Sequence, residues 1–307
     1  MRPIQSSLSL VLTALIWGLS FVAQSVGMEY VGPFTFNCVR NLLGGIVLIP
    51  VIFLFDRRSS PRIAEGRKFS LLEGTPAQKR TLLIGGVACG TALAVASSLQ
   101  QFGILDTTVG KAGFITALYI VIVPIFGLFF RRRVAPSVWL AVVIALVGLY
   151  LLSITDDFSI GRGDVLVILC AFGFSAHILL IDHFSPRTDS VRLSCIQFLV
   201  CGIQCGVCMF LFENPSVRSL LSAWLPILYS GVLSCAVAYT LQVIAQKYVE
   251  PTVASLILSL ESVFAALFGW LILRQSMSMK ELAGCLLVFC AIILAQIPQK
   301  RWIRSVA

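Results

Sequence analysis

The sequence predicts an all-α polytopic membrane protein, with ten transmembrane helices arranged as two inverted five-helix repeats. Three observations lead there. Hydrophobic residues make up 58% of the 307 and charged residues only 12%, whereas soluble domains are about 45–50% apolar; the mean hydropathy is +0.95. Apolar runs recur along the whole chain, each near the roughly 17 to 25 residues that cross a hydrocarbon core of about 30 Å. The basic residues, finally, are distributed unequally between the two sets of connections.

The runs fall at 8–25, 34–55, 81–101, 112–130, 134–154, 163–182, 193–212, 223–246, 252–273 and 281–297. The first follows a single Arg2 and has no small-residue cleavage site before the next run, so it reads as a retained helix rather than a signal peptide. Between the second and third lies the only long polar connection, 56–80, whose seven Lys and Arg should rest on anionic headgroups at the cytoplasmic face as a topology anchor. The third run contains GGVACGTALAVASS (85–98), small residues suited to close helix packing. In the fourth, Pro124 has no backbone N–H and frees the carbonyl of Ile120, which makes it a candidate hinge. The fifth and tenth runs have almost no polar side chains.

Placing both termini in the cytoplasm assigns 17 of the 23 Lys and Arg to inner connections and five to outer ones, with Arg40 inside a span. That is the bias the positive-inside rule expects. The net charge of +9 is thus a record of topology, and the short connections leave no room for a soluble catalytic or nucleic-acid-binding domain. All ten cysteines fall within the runs. Cys201, Cys205 and Cys208 share a helix face, a spacing open to a soft metal, but small residues at a helix contact explain it without ligands from elsewhere. No metal or cofactor is expected.

The two halves resemble each other. WGLSF (17–21) aligns with FGFSA (172–176) at an offset of 155, PFTFNCVR (33–40) with PRTDSVR (186–192), and AVVIALVGLYLL (141–152) with GCLLVFCAIILA (284–295). Five spans per half is an odd number, so the second copy, 155–307, enters the membrane from the side opposite to the first, 1–154.

These residues carry a wider likeness. GILDTTVGKAGFITALYIVIVPIFGLFF (103–130), WGLSF, VRNLLGG in the second span and ASLILSLESVFAALFGWLIL in the ninth resemble the EamA-type branch of the drug/metabolite transporter superfamily, over essentially the whole chain. The resemblance implies a ten-helix secondary carrier, often an exporter of amino acids, metabolites or drugs. It also implies a central cavity among helices 1–4 and 6–9, with helices 5 and 10 as outer braces. Where that family often has Glu-Pro in the ninth helix, this chain has Glu261-Ser262.

Helical spacing selects candidate site residues. Thr13, Trp17, Ser20 and Gln24 share one face of the first span; Asn37, Arg40 and Asn41 share one of the second; Cys235, Tyr239, Gln242 and Gln246 share one of the eighth. Trp17, Ser20, Gln24, Asn37, Arg40, Tyr239 and Gln242 are the substrate-binding candidates. Aromatic rings bury a solute's apolar body and a few polar groups orient it, although amides and hydroxyls also bond helix to helix. Arg40 either attracts a substrate carboxylate or phosphate, or anchors its helix. His177, which could titrate near physiological pH, is a coupling candidate alongside Glu261, and a hydrogen-bonded structural imidazole is its other reading.

Glu261 stands apart because an ionised carboxylate at mid-bilayer costs about 3 kcal/mol even on insertion scales. Its helical neighbours supply no partner. It must meet Arg40, His177 or a bound proton, either as a proton-coupling site or as an acceptor for backbone groups freed by irregularity in a neighbouring helix.

The function expected is a secondary transporter of the inner membrane, moving a small molecule by alternating access, as an exporter coupled to a proton gradient. Its partners would be the solute, the bilayer, protons and a second copy of the chain, with no nucleic acid. A membrane-embedded enzyme on lipid or isoprenoid substrates needs a reactive cluster, and two histidines with no nucleophile elbow, zinc motif or phosphate loop do not provide one. A selective channel would need a ring of like charges or a filter sequence, and neither is present.

Overall fold

The computed structural model describes residues 3–59, 70–129, 134–153, 161–273 and 278–296. Helices follow one another without a strand among the described residues: α1 (Pro3–Gly27), α2 (Pro33–Ser59), α3 (Pro76–Leu105), α4 (Val109–Phe129), α5 (Pro136–Ser153), α6 (Arg162–Phe184), α7 (Ser190–Phe212), α8 (Trp224–Ala245), α9 (Pro251–Leu273) and α10 (Met279–Gln296). Eight of them, all but α5 and α10, are long and apolar enough to cross a membrane. Residues 60–69 of the basic segment 56–80, the Arg131–Arg133 run, the boundary between the halves at 154 and 155, and the tail from Lys300 lie outside the described residues.

Local chemistry starts the helices where the sequence places polar residues. Before α3, Thr75 Oγ1 accepts from the Gln78 amide at 3.3 Å while Gln78 Oε1 accepts from the Thr75 amide at 2.9 Å, with Pro76 occupying the first helical position. Asp189 caps α7 by accepting from the Arg192 amide at 2.8 Å. Asp164, in the first turn of α6, reaches back to the Gly161 amide at 2.8 Å and also takes Lys111 Nζ at 2.6 Å.

Ion pairs link the two halves at opposite ends of the bundle. Lys111 and Asp164 join the start of α4 to the start of α6. At the other end, Arg192 at the start of α7 holds both Asp56 and Glu73 at 2.7 Å. Near the Lys111 end, the Glu213 carboxylate accepts from the amides of Phe34 and Thr35, so the close of α7 caps the start of α2.

Buried side chains of α5 and α10 share one apolar core with those of α1, α4 and α9. α5 runs against α10, and Gly148 lies so close that an added Cβ would sit 2.8 Å from the Gly284 carbonyl oxygen. Leu149, Val142, Val288 and Ile292 are fully or almost fully buried there, while Val143, Tyr150, Leu286 and Ile293 of the same helices point outward. The exposed faces of the bundle are large apolar side chains throughout, such as Phe210 at 78% exposure, as contact with hydrocarbon requires.

Three inner helices are irregular. α4 is interrupted at Ala117 and Leu118, where Leu118 and Ile120 donate to residues three back rather than four. α9 is interrupted at Ser259. α8 widens to a π-helical path over Tyr229–Tyr239. The sequence placed the weak point of α4 at the carbonyl of Ile120. The break lies just before it, in the turn that leads into the proline-bearing half.

Candidate functional site

The interrupted helices converge on one cavity with about 480 Å³ of non-atom space, the open solvent at its mouth included. Seven helices line it. From α1 come Trp17, Ser20, Phe21 and Gln24, which lie along one face because the helix repeats every 3.6 residues. α2 contributes Arg40, α3 Gln100, and α6 Phe174, His177 and Ile178. Ser234, Tyr239 and Gln242 come from α8. Thr116 and Tyr119 flank the break in α4, and Leu258 and Glu261 flank the break in α9.

Glu261 is 4% exposed, and its Oε1 accepts from the Tyr119 hydroxyl at 2.8 Å. Neither Arg40 nor His177 lies within ion-pair distance of it among the described residues; the acid's partner is a phenol the sequence reading did not select. The neighbouring Ser262 donates to the Gly113 carbonyl at 2.7 Å. Adjacent side chains of α9 therefore grip α4 on both sides of its break, Gly113 before and Tyr119 after.

Arg40 is 5% exposed and does not snorkel to the surface. One guanidinium nitrogen donates to Gln24 Oε1 at 3.0 Å, Gln24 donates in turn to the Ser20 carbonyl at 3.2 Å, and the guanidinium carbon lies 5.5 Å from the Phe36 ring centre. Its Nε has no hydrogen-bond partner among the described residues, nor do Trp17 Nε1, Ser20 Oγ and Gln242 Oε1. All four belong to residues that line the cavity.

Tyr239 ties the aromatic wall together. Its ring centre is 4.5 Å from that of Trp17 and 5.7 Å from the His177 imidazole. His177 Nε2 is 3.0 Å from Gln197 Oε1, so α7 braces the site from behind without lining it.

Eight of the residues selected by spacing and depth meet here: Trp17, Ser20, Gln24, Arg40, His177, Tyr239, Gln242 and Glu261. Asn37 does not line the cavity; it is fully buried between helices, with neither amide atom partnered among the described residues. Pro124 is buried beyond the α4 break, also outside the lining. Tyr119 and Thr116 were not selected. The signal was their spacing of three in an otherwise apolar run, which puts a hydroxyl and a phenol on one face of α4.

The cavity holds no group of His, Cys, Asp and Glu residues suited to a metal among those described. With one acid, one guanidinium, amides and aromatic rings, it can bind and orient a small organic molecule.

The sequence profile of the EamA-like transporter family matches residues 5–154 and, separately, 161–296. An uncharacterized transporter of Archaeoglobus fulgidus is 28% identical over 303 residues, spanning 96% of this chain and 87% of that protein. The uncharacterized transporter YoaV of Bacillus subtilis is 22% identical over 295 residues, spanning 94% of this chain and 95% of its own. One solved crystal structure shares the fold, with a TM-score of 0.75 at 18% identity, covering 95% of this chain and 96% of that one.

Proposed function

The chain belongs to the EamA-like transporter family, and on that premise we propose that this multi-pass membrane transporter is a proton-coupled exporter that carries a small organic solute through the central cavity by alternating access. In this reading 1–154 and 155–307 are inverted five-helix repeats, and the separate family matches to the two halves support it. The short helices α5 and α10 also cross the bilayer, as a brace outside the transport core. The positive-inside bias favours cytoplasmic termini in an inner membrane.

The observation that carries the proposal is the Tyr119–Glu261 bond at the meeting of two broken helices. Carriers with discontinuous helices bind solute and coupling ion where the helix halves part, because those turns bend at low cost. Glu261 sits at that point with a neutral hydroxyl for a partner. Arg40 from α2, His177 from α6 and Tyr239 from α8 share its cavity. A proton gained or lost there alters the grip between α4 and α9. Pro124 supports the same motion by weakening the second half of α4.

The test is flux from proteoliposomes loaded with labelled amino acids, nucleobases and vitamins, with and without a pH gradient. Gradient-driven release is expected from the wild-type protein and its loss from Glu261→Gln. Unchanged proton dependence in that variant sinks the coupling role, and absence of any protein-dependent release sinks the transporter reading itself.

A further inference from the structure

We propose that the solute is a small planar organic acid and that Arg40 recognises its carboxylate. This rests on the transporter reading above and goes further by naming what is carried and what reads it.

The argument begins with an uncompensated charge. Arg40 is 95% removed from solvent by its own fold, being 5% exposed, and a buried cation must be paired to be tolerated. Among the described residues the ion pairs are Lys111–Asp164, Arg192–Asp56 and Arg192–Glu73. None reaches Arg40. Gln24 gives it a neutral oxygen at 3.0 Å and Phe36 a ring face, while Nε is unpartnered. Glu261, the acid in the same cavity, is engaged by Tyr119 instead. Arg40 thus lines the cavity with no carboxylate paired to it among the described residues, and a carboxylate meets a guanidinium through two parallel bonds.

Charge count distinguishes a carboxylate from a phosphate. Among the described residues Arg40 is the only Lys or Arg in the cavity lining, and Glu261 lines the same space. One guanidinium offsets one negative charge. A dianionic phosphate would leave a second charge facing an acid in a poorly solvated site, which electrostatics disfavours.

The rest of the lining defines the body that bears the carboxylate. Trp17 and Tyr239 form a tilted pair at 4.5 Å, with Phe21 and Phe174 nearby in the lining. Seven residues of α1 separate Trp17 from Gln24, about 10 Å at the helical rise. A flat ring against the aromatic pair and an acid at Arg40 span that interval.

The purified full-length protein in uncharged detergent and low chloride is to be screened by thermal unfolding against matched pairs: benzoate and benzamide, nicotinate and nicotinamide, indole-3-acetate and indole-3-acetamide. At least one acid is expected to stabilise the protein where its amide does not, with a preference of at least about tenfold in affinity, as one charge-assisted pair supplies. Arg40→Gln should abolish the preference. Arg40→Lys should lose most of it, because an ammonium lacks the fork. No acid outperforming its amide on the wild-type protein overturns the proposal, as does an Arg40→Gln protein that keeps the preference. The wild-type comparison stands even where a variant fails to fold. Liposome release that proceeds without any acid preference refutes the carboxylate and leaves the transporter reading intact; absence of both release and stabilisation refutes the two together.

Discussion

The hydroxyl of Tyr119 donates to Glu261 Oε1 at 2.8 Å, joining the first residue after the break in α4 to the second residue after the break in α9. The bond couples two helices beside the points where each is interrupted. Its strength depends on the protonation of Glu261, since a charged acceptor makes a stronger bond than a neutral one.

That dependence can be measured by a double-mutant cycle on thermal stability. At alkaline pH, Tyr119→Phe should cost about 1 kcal/mol more in the Glu261 protein than in Glu261→Gln. At acid pH, where the carboxyl is neutral, the difference should vanish. A coupling energy independent of pH would show that the pair never changes charge.

Ser262 offers a second handle. Its hydroxyl donates at 2.7 Å to the Gly113 carbonyl, which lies before the α4 break. Ser262→Ala should lower stability by about 0.6 kcal/mol, the usual size of a hydrogen bond between membrane helices. It should also raise the transport rate above that of the wild-type protein if that bond resists opening of the break. Stability and initial efflux rate, measured on the same preparation, check both parts.

The two carboxylates held by Arg192 should not contribute equally. The Asp56 side chain is 11% exposed and that of Glu73 is 42% exposed, at equal distances of 2.7 Å. Solvent screens the second pair, which should be worth under about 1 kcal/mol, while loss of the first leaves a largely buried guanidinium short of its partner. Thermal unfolding should rank Asp56→Asn well below Glu73→Gln, and equal effects would argue that water reaches both.

Lys247 lies in the connection between α8 and α9 and donates to the Thr188 carbonyl at 2.9 Å. Burial holds its pKa below the usual 10.5, with Asp189 opposing the shift. In the window between the lowered value and 10.5 the unfolded chain binds more protons, so stability rises with pH there and the penalty of the charged form is fully present below it. Lys247→Met should remove that rise, as a difference in melting temperature between the two proteins across alkaline pH.

Much of the candidate site was legible in the sequence because solvents sort residues. Polar side chains within an apolar run must face protein, so the stripe Trp17, Ser20, Gln24 and the solitary Glu261 pointed to a common interior before any helix was placed. The same rule selected Asn37, which is equally buried but between helices instead of on the cavity. Depth identifies a buried polar group without saying which gap it faces.

Hydropathy and helical period alone fixed the all-helical membrane character and the positions of the long apolar helices, since crossing a membrane is a demand each segment meets within its own sequence. Tertiary structure decided what Glu261 meets. Tyr119 lies 142 positions away and carries no charge, so no local rule could choose it over Arg40 or His177. Tertiary structure also set the interruptions at Ala117–Leu118 and Ser259 and the widened path of α8. Neighbouring helices bond the backbone at two of those irregularities, Ser262 to the Gly113 carbonyl and Thr13 to the Ala238 carbonyl, and such bonds are a property of distances between helices, not of any one of them.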